Sequence, residues 1–274
     1  MALRLVVLVG TVVVGLATHA PAADGQVTIQ LAEDLQVVEL EEGVYQVVHA
    51  FPWRGNSLLV QMPDSAIVWV DTPYEDEATL RVLEWIHRTF GSVPIVEINT
   101  GYHWDNAGGN GLLLSRGIPV YGADLSARLL RERGEWIRSE TLATLTSPEH
   151  AKHRAVHAGQ RFQGPDHVFP IEETQRLRFG SEVVEVFYPG PSHAPDNLVV
   201  YFRERGILFG GCMVRALGAA GVGYTGDADL IEWPKAVQRT VGRYPAARWV
   251  VPGHGAAGGP EALSHTIRLL QGPG

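Results

Sequence analysis

Twice along its length this chain passes from short, turn-linked strands to strands that alternate with helices, and that repeated order restricts the fold more than any single residue does. In the first half, residues 37–40, 44–48, 56–60 and 66–70 read as an antiparallel meander, with Glu42-Gly43 and Met62-Pro63-Asp64-Ser65 as turns. The loop 49–55 carries Phe51 and Trp53. Helical periodicity follows over 75–88, where Leu80, Leu83, Trp85 and Ile86 are apolar between charges, then a strand over 93–98, a helix near 112–116, a strand at 119–121 and a helix from about Ser126. The second half returns to strands at 174–179, 183–188, 197–202 and 207–209, then a helix over 229–241, a strand at 247–251 and a helix over 260–271. Alternating strands and helices need helices packed on a sheet face. Two such halves, sheet against sheet, predict an α/β protein built as a four-layer αββα sandwich.

Residues 1–22 have the three-part pattern of a secretory signal peptide: Met1-Ala2-Leu3-Arg4, an apolar core over 5–17, and small residues that fit cleavage at Thr18-His19-Ala20 or Ala20-Pro21-Ala22. The apolar run is too short to span a bilayer, and no other stretch approaches ~20 apolar residues. A single domain over 23–274 is therefore expected, periplasmic or secreted, with no membrane span; a monomer is expected. The formal charge of -8 argues against nucleic acid, which calls for a basic patch. The arginines between Arg128 and Arg138 are interrupted by Glu132 and Glu135 and read as a solvated, salt-bridged helix face. Residues 141–163 read as an exposed or partly ordered segment. His150, His153 and His157 have helical spacing there, but no Cys or acidic companion in register to make a metal cluster.

Four strand ends carry residues able to bind a metal. His103 and Asp105 follow the 93–98 strand, His193 lies in Tyr188-Pro189-Gly190-Pro191-Ser192-His193, Cys212 ends Gly210-Gly211-Cys212, and His254 stands in Pro252-Gly253-His254-Gly255. Each is expected in a loop just past an apolar strand, beside Gly or Pro, where a rigid scaffold presents functional groups. Imidazole, carboxylate and thiolate together form a borderline-soft donor set of the kind zinc takes. The only cysteine of an exported chain has no partner within the chain, so Cys212 is either buried or metal-bound.

On these motifs the chain resembles the metallo-β-lactamases. The match runs through Val70-Asp71-Thr72-Pro73, His103-x-Asp105 with Ala107-Gly108-Gly109-Asn110, Tyr188-Pro189-Gly190-Pro191-x-His193-x-Pro195-Asp196-Asn197, Phe209-Gly210-Gly211-Cys212, Gly226-Asp227-Ala228-Asp229, Glu232-Trp233-Pro234 and Val251-Pro252-Gly253-His254. The cysteine marks the true β-lactamase branch. The resemblance implies one zinc on Asp105, Cys212 and His254, and a second, weak zinc site at His103 and His193. That second site's first histidine is replaced by Gly101, which has no ligand to offer; a turn needing positive φ would be one reason for glycine there. Asn99-Thr100-x-Tyr102-His103-x-Asp105 resembles the one-zinc, carbapenem-selective group, whereas the motifs around Cys212, Asp227 and His254 resemble the two-zinc group. The chain reads as a hybrid.

The resemblance implies a zinc-dependent β-lactamase, conferring antibiotic resistance by hydrolysis of penicillins, cephalosporins or carbapenems. In the one-zinc form, His103 would act as general base, Asp105 would position the attacking water, and His193 would donate to the developing oxyanion. Arg215 stands where the family has a lysine for the substrate carboxylate, Tyr224 stands where it has an asparagine, and Asp71 would fix a ligand or the loop behind it. Two other readings stay open on sequence alone: another zinc hydrolase on this fold, such as a lactonase, or an exported zinc binder without catalysis.

Overall fold

The computed structural model describes residues 27–272, so the leader expected over 1–22 lies outside the described residues. Strands β1 (Thr28–Ala32), β2 (Leu35–Glu41), β3 (Val44–Ala50), β4 (Arg54–Gln61) and β5 (Ile67–Val70) form the expected antiparallel meander. β6 (Ile95–Ile98), β7 (Val120–Ala123) and β8 (His167–Phe169) then add in parallel, giving one eight-stranded sheet in chain order. The second sheet has the order β13-β12-β11-β10-β9, from β9 (Gln175–Phe179), β10 (Glu182–Phe187), β11 (Val199–Phe202), β12 (Ile207–Arg215) and β13 (Trp249–His254). It is antiparallel except at the β12–β13 pair.

The alternation of side chains places the core. Leu58, Val60, Val68 and Val70 point between the sheets, where they meet Val184, Val200 and Phe209, while Leu59, Ile67 and Trp69 point outward against a helix. That helix is α1 (Asp76–Phe90), whose Val82, Leu83 and Ile86 are buried; Glu75 caps it by accepting from the amides of Glu77 and Ala78. On the far side, α6 (Trp233–Arg243) and α7 (Glu261–Gln271) cover the second sheet through Trp233, Val237 and Leu263. Helix, sheet, sheet, helix is the expected four-layer sandwich. Among the described residues no helix is long and apolar enough to cross a membrane.

Short helices α2 (Trp104–Ala107) and α3 (Asn110–Ser115) leave the end of β6. Gly108 and Gly109 join them with negative φ of -60° and -95°, so close approach is what requires glycine. A Cβ on Gly108 would lie 2.3 Å from the Tyr74 carbonyl oxygen, and one on Gly109 2.1 Å from Thr79 Oγ1. The joint thus presses the His103–Asp105 turn against β5 and α1.

Two expectations need correction. The 141–163 segment is ordered and partly buried: α4 (Asp124–Thr144) reaches into it and α5 (Ala151–Gly159) follows. His157 is fully buried, its ring 4.6 Å from that of Trp104 and 5.6 Å from that of Phe51. Gln160 donates to the carbonyls of Tyr74 and Gly108. Imidazole and amide groups here do the packing that apolar residues usually do. Cys212, expected in a loop, lies inside β12, at the irregular register between Phe209 and Arg215. Gly211 makes that irregularity with φ of 54°, which turns the thiol toward the strand ends.

Candidate metal centre

Asp105, in the first turn of α2, meets Cys212 from β12 and His254 from the end of β13. The Cys212 thiol donates to Asp105 Oδ2 at 3.1 Å, His254 Nε2 lies 3.0 Å from the same oxygen, and sulfur and Nε2 are 3.8 Å apart. Ligands of a tetrahedral zinc, with bonds of about 2.0–2.3 Å, stand roughly 3.3–3.8 Å from one another. The triangle therefore has the size and the donor chemistry of a zinc site, and among the described residues it is the one group of three such side chains that converges in this way. Burial raises the Asp105 pKa, but the His254 bond and charge, with His103 and the thiol, outweigh it and hold the carboxyl well below its usual range. Burial and the Asp105 charge push the Cys212 thiol far up.

Each of these side chains is braced. Burial alone would lower the His254 pKa, yet its bond to Asp105 raises it overall, and its Nδ1 lies 2.6 Å from the Arg54 carbonyl, which directs Nε2 to the centre. Asn56 donates to the carbonyls of Pro252 and Gly255 at 2.8 and 2.7 Å, and Gln46 to Gly255 at 3.0 Å, so first-sheet side chains fix the loop of a second-sheet ligand. Sequence reading passed over both residues, although a polar side chain on the inward face of an apolar strand was the available signal. Asp71, with φ of 57°, accepts from the Thr100 amide and hydroxyl at 2.7 and 2.6 Å and from Asn106 Nδ2 at 2.7 Å. Asn106 in turn lies 3.9 Å from Cys212 Sγ. Asp71 thus bonds on both sides of Asp105, to Thr100 and to Asn106. Burial keeps its pKa high despite these bonds.

His103 and His193 stand together beside the triangle, ring centroids 5.3 Å apart and both buried. His193 Nδ1 is buried without a hydrogen-bond partner, and burial next to His103 pushes the His193 pKa down to about 3, so the ring is a neutral donor. His103 Nε2 lies 3.2 Å from Asp227 Oδ2. Gly101 is absent from the residues with positive φ, so a left-handed turn is not what places glycine there. Tyr224 is exposed, its ring 6.5 Å from His103 and 6.3 Å from His193. Arg215 is half-buried; with His254 it lines a cavity of about 500 Å³ whose other walls are Leu217 and small residues such as Ala216, Gly255 and Ala257. All of the side chains singled out in sequence therefore gather at one end of the sandwich.

The profile of the Metallo-beta-lactamase superfamily matches residues 51–254. The chain is similar to a metallo-beta-lactamase type 2 of Bacteroides fragilis, with 28% identity over 255 residues that cover 91% of this chain and 90% of that one. It is also similar to a metallo-beta-lactamase type 2 of Bacillus cereus, with 31% identity over 222 residues, 81% of this chain and 74% of that one. The solved metallo-beta-lactamase from Pontibacter korlensis superposes with a TM-score of 0.69 at 30% identity, covering 90% of this chain and 100% of that one.

Proposed function

The chain belongs to the metallo-beta-lactamase superfamily and is a hydrolase, and from that premise we propose that it opens the lactam ring of β-lactams at one tightly held zinc ion. The observation that supports the reading is the triangle of Asp105, Cys212 and His254, a set of three that would leave a bound zinc its fourth position for water or substrate, as catalytic zinc sites do. Bound there, zinc would supply Lewis-acid polarisation and charge neutralisation at the ring nitrogen.

The remaining steps belong to side chains. Arg215, at the rim of the cavity shared with His254, takes the substrate carboxylate. Asp105 accepts from and aligns a water molecule, and His103, with Nε2 engaged by Asp227, takes a proton at Nδ1 as that water's oxygen adds to the lactam carbonyl carbon. His193, neutral because it is buried, donates its N–H to the oxygen that becomes anionic, and Tyr224 offers a phenol to the same region. As the C–N bond breaks, the nitrogen takes up the proton. With one nitrogen of His103 on Asp227 and no side chain at Gly101, a second metal would have only His103 and His193 to hold it, which favours the one-zinc form.

The test is zinc per protein by elemental analysis together with imipenem hydrolysis followed by absorbance, on the wild-type chain and Cys212→Ser. About one zinc and measurable turnover, both lost in the serine variant, are expected. Absence of turnover with any penicillin, cephalosporin or carbapenem would overturn the β-lactam reading and leave a lactonase to be assayed. The exported location belongs to the same reading and is checked by fractionation of expressing cells.

A further inference from the structure

Asp227 lies between β12 and α6, and its buried carboxylate is bound from two other parts of the chain. Oδ2 accepts from the Tyr102 hydroxyl at 2.5 Å and lies 3.2 Å from His103 Nε2. Oδ1 is 2.7 Å from Arg133 on α4. The Arg133 guanidinium stacks 4.3 Å from the Trp136 ring and stands 5.8 Å from that of Tyr102. Arg128 and Arg131 are exposed and Arg138 pairs with Glu135, as expected of a solvated, salt-bridged face, but Arg133 departs from that face and reaches Asp227.

A carboxylate only accepts hydrogen bonds. A neutral His103 facing Asp227 through Nε2 must carry its proton there, which leaves Nδ1 bare and available to a metal or a water. The carboxylate can impose that choice only if it is held in place, and a guanidinium whose planar fork is stacked on an aromatic ring is suited to hold it. We infer that Arg133 and Tyr102 are positioning residues: they hold Asp227 so that it locks His103 in the Nε2–H tautomer, with Nδ1 open to the reaction centre. The catalytic consequence rests on the proposed function; the tautomer does not.

The experiment is a long-range proton–nitrogen NMR correlation of the histidine rings in metal-free, nitrogen-15-labelled protein, with His103→Gln to assign the signal. The wild-type chain is expected to show one His103 tautomer, protonated at Nε2. Asp227→Asn keeps the shape but offers either an oxygen or an NH2, and Arg133→Met removes the anchoring charge. In both, the proton is expected to spread over both ring nitrogens. Arg133→Lys should restore the single tautomer, and Arg131→Met, an exposed neighbour on α4, should leave it unchanged. With zinc restored, Arg133→Met should lower kcat about 10–100-fold while KM stays within about threefold. A wild-type Nδ1–H tautomer, or a His103 signal unchanged in either Asp227→Asn or Arg133→Met, would overturn the inference. If the tautomers respond as expected while even the wild-type enzyme opens no β-lactam, the positioning role stands and the reading of the reaction fails.

Discussion

A Cβ built on Gly101 would stand 3.0 Å from Asn106 Oδ1 and 3.1 Å from Asn197 Nδ2, so the position has no ready room for a side chain. Asn106 cannot yield freely, because its Nδ2 serves Asp71 and approaches Cys212. Gly101→Ala is therefore expected to cost about 1–3 kcal/mol, the usual range for overpacking, and to weaken zinc binding through the displaced Asn106. Urea unfolding with and without zinc measures this, and an unchanged midpoint would mean the two amides swing aside. The candidate metal-binding residues could be picked out in sequence because Gly- or Pro-bearing runs follow apolar segments near them, although Cys212 lies inside β12 rather than past its end. What orients them was not legible. Asn56 and Gln46 act from strands far away in sequence, and Arg133 looks like any helix-surface arginine until the 216–232 loop folds over it.

The meander, α1, α6 and α7 announced themselves through periodicity, because each buries one apolar face. α5 did not, since it docks through histidines and Gln160, which composition counts as polar. His157 and His49 are buried about Phe51, with His153 and Lys152 near them from α5, and Asp34 facing from the β1–β2 turn. Burial pushes both pKa values down from 6.5 to about 4. Unfolding frees these rings to take protons, so the unfolded state binds more protons than the native state between those values. Their stabilising contribution is complete above pH 6.5 and is lost as the pH falls toward 4, by up to roughly 3 kcal/mol per ring, with less than twice that for the interacting pair. Urea midpoints between pH 4 and pH 7.5 should fall with acid, and His157→Phe, which keeps an aromatic ring, should flatten that slope. Identical slopes would show that α5 stays docked when its histidines are charged. Because His157 packs on Trp104, between His103 and Asp105, the same titration should disturb the site before the sheets unfold.

At the scale of the molecule, the centre joins the two halves of the sandwich. Asp105 belongs to the first sheet's loops, while Cys212 and His254 come from the second sheet. A metal held there would bridge the halves, yet the Arg54 carbonyl, Asn56 and Gln46 already tie the end of β13 to the first sheet. Chelation is therefore expected to leave the fold intact and to lower stability by about 2.7 kcal/mol relative to protein in free zinc at 100 times its Kd. The cross-sheet amide then carries more of the burden. Asn56→Ala strips the buried Pro252 carbonyl of a donor, leaves the half-buried Gly255 carbonyl to Gln46, and should cost about 1–3 kcal/mol in metal-free protein. If that amide also sets where His254 stands, zinc affinity should fall about 10–100-fold, read by competition with a chromophoric chelator. Loss of stability with unchanged zinc affinity would mean that the Arg54 carbonyl alone aims His254, and that the two sheets deliver their ligands to the centre without help from the polar contacts between them.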